Sequence, residues 1–136
     1  PISAAEFFQS PKPVVKNRLL KGIKIKIPNQ DLQYAFVRIS KTTDSDIALT
    51  SCCVAILDAK NDKKTAIFAV NFGNRFSQRL SNIENAYKAR QISLKWDERL
   101  EKLVNEEIRT VESKEYIRDN IVVCFKRAIE KLNRNL

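Results

Sequence analysis

The chain has 136 residues, is 43% apolar and 30% charged, and carries a net charge of +9. That is enough for one domain with a buried core. With only 2 Gly and 4 Pro and no run near the roughly 18 apolar residues of a membrane helix, it excludes the collagenous, low-complexity and helical-membrane classes.

Histidine is absent, which removes the commonest general base and the commonest metal ligand. Cys52, Cys53 and Cys124 are odd in number, two are adjacent, and all sit in apolar runs. Neither a disulfide framework nor a zinc site has that spacing, so they read as buried thiols of a reducing compartment, and the chain as cytoplasmic. The N-terminus has no signal-peptide layout. It opens at Pro1 rather than Met, so a processed chain, a subunit fragment or an excised domain is expected. The charge is uneven: residues 1–79 carry 13 Lys/Arg against 6 Asp/Glu, residues 80–136 carry 12 against 10. A basic front half suits nucleic acid, a phosphorylated cofactor or an acidic partner subunit.

Taken in order, residues 2–9 predict a helical turn capped by Ser3 that presents Phe7 and Phe8, ended by Pro11 and Pro13. An extended link follows over residues 14–20. Residues 22–28 alternate: Ile23, Ile25 and Ile27 point one way, Lys24 and Lys26 the other. That predicts a half-buried strand with a solvated basic face, stopped by Pro28. The next strand spans residues 32–40, with Tyr34, Phe36 and Arg38 on one face and Ala35, Val37 and Ile39 on the other. Residues 47–57 are a long apolar run that fits strand or helix by periodicity. Their β-branched content and the DAKNDKK turn after them favour a hairpin with residues 65–72.

Residues 73–79, GNRFSQR, read as a polar loop. Ser81 and Glu84 have capping-box spacing. Ser93 is placed to cap a helix whose stripe is Trp96, Leu100, Leu103, Val104, Ile108 and Val111. Ser113 is placed to cap a last helix with Ile117, Ile121, Cys124, Phe125, Ala128 and Leu132 on one face. Such a helix needs a sheet to bury its stripe. Strands first and helices after predict an α+β fold over a single domain, residues 1–136. Its antiparallel sheet has three to four strands, covered on one face by the C-terminal helices.

There is no Walker loop, dinucleotide glycine motif, serine elbow or metal-ligand cluster, so neither a catalytic nor a metal-ligating residue is assigned. The carboxylates of the second half read as solvated helix faces. Arg75 and Arg79, in a loop after a strand, are candidate ligand groups. Lys24 and Lys26 read as solubilisers that blunt edge pairing. Tyr34, Phe36 and Arg38 have the types that stack nucleic-acid bases on a sheet, but the glycine-rich aromatic signature of RNA readers is missing.

Several motifs, each weak alone, fall in a telling order. They are Glu6–Phe8, Ile25–Pro28, Phe36 with Arg38, Asp46–Ala48, Gly73, Glu84, Tyr116–Arg118 and Arg127–Ala128. The order resembles the C-terminal domain of the FAD-binding subunit of molybdenum hydroxylases. That family includes the xanthine dehydrogenases and carbon monoxide dehydrogenase. The resemblance implies a lobe that closes over FAD and helps pass electrons from iron–sulfur clusters to an acceptor. It implies FAD shared with N-terminal lobes that lie outside this chain, and a molybdenum cofactor and [2Fe–2S] clusters held only by partner subunits. By registration on the family's pattern, Arg38 falls where a lysine lies near the flavin ring. Gly22 or Ile23, or Leu20 with a small insertion, falls where an apolar residue touches it. An arginine keeps the charge but not the geometry, and would favour an anionic reduced flavin. The basic pair often found before the DIA triplet appears here as SKTTDS, and "YRR" appears as YIR. The phosphate-cradling loops belong to the other lobes, so this chain alone is expected to bind FAD weakly or not at all. The contrasting expectation is a basic α+β nucleic-acid-binding module without enzymatic activity.

Overall fold

The computed structural model describes residues 2–9, 19–25, 27, 32–40, 42, 47–57, 65–72, 77–112 and 114–134. Its elements are a short helix α1 (Ala4–Gln9), strands β1 (Leu32–Ser40), β2 (Ala48–Leu57), β3 (Thr65–Asn71) and β4 (Gln78–Arg79), and helices α2 (Ser81–Lys88), α3 (Glu98–Val111) and α4 (Glu115–Arg134). The fold is α+β. The strands form one antiparallel sheet in the order β1-β2-β3-β4, and α4 packs on β1 and β2 while α2 packs on β3.

The alternation of β1 is realised as it is written. Ala35, Val37 and Ile39 face the helices, opposite Val54, Cys52 and Thr50 of β2. Beneath them α4 presents Ile121, Cys124, Phe125, Ala128, Ile129 and Leu132, all fully buried. Phe68 of β3 meets Phe125 with ring centroids 6.1 Å apart, tilted by 44°, within the range aromatic pairs favour. Leu100, Val104 and Ile108 of α3 complete this core. The long run over residues 48–57 resolves as a strand because it lies between two others, with every inner position sealed by helix.

The strand expected over residues 22–28 does not form. Residues 22–25 and 27 adopt no regular structure and are exposed, while Lys26 and Pro28 lie outside the described residues. Alternation specifies a strand's two faces but supplies no neighbour for its ladder. The fourth strand comes instead from Gln78 and Arg79, at the end of the segment read as a loop. Leu80 N–H donates to the Phe68 carbonyl at 2.8 Å and extends that pairing by one bond.

Helix ends depart from the expected caps in an instructive way. Ser81 is inside α2 rather than before it, and no side chain of its own turn caps the helix. The Glu107 carboxylate of α3 reaches across and accepts from Asn82 N–H at 2.9 Å and Ile83 N–H at 3.0 Å. Those are two of the donors a helix start leaves orphaned. α3 is capped by Asp97, which accepts from Leu100 N–H at 2.8 Å, and not by Ser93. Ser113 lies outside the described residues. Beside it Glu112 accepts from Lys114 N–H at 3.0 Å, and Arg118 donates to the Glu112 carbonyl at 3.3 Å, tying α4 to the end of α3. α2 ends in a Schellman turn: Arg90 N–H bonds the Tyr87 carbonyl and Gln91 N–H the Ala86 carbonyl. Arg90 holds φ at 58°, where glycine is the favoured residue.

Candidate functional site

Because every strand alternates, the sheet has a second face, turned away from the helices. β1 contributes Leu32, Tyr34, Phe36 and Arg38 to it; the cross-strand register sets them opposite Leu57, Ala55, Cys53 and Ser51 of β2. β3 continues the rows with Thr65, Ile67, Ala69 and Asn71. None of these residues joins the core cluster. Tyr34 is 62% exposed, Phe36 50% and Leu32 44%. Arg38 is exposed as well. The result is a ridge of two aromatic rings with a guanidinium at its end, along the outermost strand, beside a shallow floor of Cys53, Ala55 and Ala69.

Of the residues singled out in the sequence, Arg38 stands on this face. Gly22 and Ile23 belong to no strand of the sheet and lie in the segment without regular structure; Ile23 is 80% exposed, and nothing lies within 4 Å of where a Cβ on Gly22 would be. Leu20 is exposed in the same segment. Arg79 is tied to Glu84. Its Nε and Nη2 donate to both oxygens of Glu84 at 2.8 and 2.6 Å, and this holds its pKa above the ordinary guanidinium value. Glu84 Oε1 also accepts from Phe68 N–H at 3.0 Å, satisfying the β3 edge beside the two-residue β4. Arg75 lies outside the described residues.

Not every carboxylate of the second half is solvated. Glu107 and Glu112 are buried, and each holds backbone N–H groups. The signal for Glu107 was its place within the apolar stripe, between Val104 and Ile108. The three cysteines are free thiols. Cys124 Sγ donates to the Val37 carbonyl at 3.7 Å. The Cys124 thiol beside Cys52, together with burial, pushes the Cys52 thiol far above its ordinary range, and burial pushes Cys53 up too. Such thiols stay protonated and unreactive at neutral pH. Among the described residues no group of three His, Cys, Asp or Glu side chains is placed to hold a metal ion, and no helix is long and apolar enough to cross a membrane.

No protein-family model, curated protein or solved structure matches the chain.

Proposed function

We propose that the chain is the C-terminal lobe of a flavoprotein subunit of a molybdenum hydroxylase, the lobe that closes over FAD in an electron-transfer assembly of the cytoplasm. The observation that carries this reading is the open sheet face, where Tyr34, Phe36 and Arg38 form an apolar wall ending in a cation. The order of motifs that resembles the family supports it, as does a sheet on which, among the described residues, α4 and α2 pack against one face. The residues fit one wall of a flavin site and no more. The wall offers planar contact and positive charge, and no described glycine-rich turn is present to cradle a pyrophosphate. Bound flavin would accept electrons from the iron–sulfur clusters of a partner subunit and release them to an acceptor. For its part, the chain would exclude water with Tyr34 and Phe36 and set positive charge beside the ring with Arg38. Gly22 and Ile23 would reach that ring only after the segment that carries them docks. The chain contains no complete active site under this reading.

The experiment is a redox titration of the assembled subunit with Arg38→Ala. Removing a cation beside an anionic reduced ring lowers the flavin midpoint potential, and an unchanged potential would count against the proposal. Exposed Tyr34 and Phe36 on a basic domain also support the second reading, a nucleic-acid-binding module. That reading predicts single-strand binding that weakens steeply with salt, and a flat salt response removes it.

A further inference from the structure

Ahead of β1, residues 19–25 and 27 are exposed and have no regular structure. Leu19 is 93% exposed, and Ile23, Ile25 and Ile27 are 80%, 81% and 82% exposed. Among the described residues, this run makes no hydrogen bond and no ion pair. Its backbone donors and acceptors, its isoleucines and the ammonium groups of Lys21 and Lys24 are all left to water. Single apolar residues on a surface are ordinary, but a contiguous exposed cluster marks an interaction site. The spacing says more than the exposure does. Once extended, the segment sets Ile23, Ile25 and Ile27 on one side and Lys24 on the other.

We infer that the segment from Gly22 to Ile27 is a donor strand. It adds to the open sheet edge of a partner protein whose edge strand is apolar on one face and acidic on the other. Such an edge meets every unmet need of the segment at once. It supplies a ladder for the backbone, apolar neighbours for the isoleucines and cross-strand carboxylates for the lysines. The charge argument comes from the segment itself: the stretch 19–28 contains Lys21, Lys24 and Lys26 and no Asp or Glu. Pro28 follows in the sequence, and a residue without an N–H ends a ladder. Other occupants leave a need unmet. Hydrocarbon leaves the backbone groups unpaired. Nucleic acid answers the lysines but offers no ladder. A second copy of the segment sets lysine against lysine, and like charges directly opposite are destabilising. The inference goes beyond the flavin reading, and its test involves no flavin, so the two fail separately.

The test uses the intact chain and a synthetic disulfide-closed β-hairpin whose outer strand alternates valine and glutamate over about six residues, the length of a typical strand. Binding is followed by fluorescence anisotropy and by amide hydrogen exchange. The expected result is saturable binding, with the amides of residues 22–25 and 27 unprotected in the free chain and protected in the complex. Successive N–H groups of a strand point to opposite edges. One of Gly22→Pro and Ile23→Pro, made singly, therefore removes a ladder donor and should bind about tenfold more weakly. Ile23→Asn/Ile25→Asn should weaken binding as well. These positions are exposed, and nothing lies within 4 Å of a Cβ built on Gly22, so the variants should melt with the parent and a loss of binding is not a loss of fold. A hairpin with lysine in place of glutamate should bind far more weakly. Equal binding of the two hairpins, no binding of the glutamate hairpin, or full binding by both proline variants overturns the inference. Protection of the segment's amides in the free chain makes the chain itself the occupant and overturns it too. Binding of polyuridylate or phosphatidylserine vesicles in place of the hairpin does the same.

Discussion

One strand of this protein has two faces with opposite fates. On β1 the odd-numbered side chains Ala35, Val37 and Ile39 meet α4, six of whose apolar residues are fully buried. The even-numbered Tyr34, Phe36 and Arg38 face outward. The apolar content of the two sides is similar, so composition does not separate them. What separates them is that α4 covers one side and nothing in the described structure covers the other. Stability is concentrated on the helix side, and the outward side keeps its rings exposed.

The sharpest way to break this comparison is to truncate one aromatic from each side. Phe125→Ala removes a fully buried ring and its partner contact with Phe68, and should destabilise by about 4 kcal/mol. Phe36→Ala should cost about 1 kcal/mol, the scale of β-propensity at a half-exposed strand site. Urea unfolding of both variants checks the ratio, and near-equal losses would end the distinction. Next in size is the inter-helix clamp. Glu107→Ala strands the N–H groups of Asn82 and Ile83 and should cost about 2 kcal/mol, with Glu107→Gln recovering part of it. If Glu107→Ala unfolds at the same urea concentration as the parent, the clamp carries no stability.

Two smaller effects sharpen the picture. The folded thiols of Cys52 and Cys53 have raised pKa values against an ordinary 9.0. Protonation therefore favours the folded state. Their contribution is complete below pH 9.0 and is lost as the pH climbs above it toward the folded values. Urea midpoints should fall from pH 8 to pH 10, and the fall should shrink in Cys52→Ala. A midpoint independent of pH contradicts the assignment. Arg90→Gly relieves a left-handed arginine and should stabilise by about 1 kcal/mol; no gain in melting temperature would mean the turn is already unstrained.

Much of this architecture was legible in the residues. The two faces of β1, the hairpin of β2 and β3 and the stripe of α4 all follow from period and turn chemistry, because each states which side is apolar. Partnership was not legible. The Ile/Lys alternation at residues 22–27 reads as a strand as clearly as β1 does, yet a ladder needs a neighbour and the sequence does not name one. The same limit hid the cap on α2. Ser81 and Glu84 have the local spacing, but Glu107 lies 24 residues from Ile83 and reaches it only through the packing of α2 on α3. At the candidate site, Arg38 was placed on the correct face by alternation alone. Gly22 and Ile23 were joined to it by registration on a family pattern, which carries no distance.

The most direct test of the division between the faces is the unfolding free energy of Tyr34→Thr/Phe36→Thr, a pair of changes that keeps strand propensity while removing both rings. The account predicts a loss of no more than about 1 kcal/mol, as for exposed positions. A loss approaching the Phe125→Ala value would mean that the outward face is packed as a core, and would contradict the account.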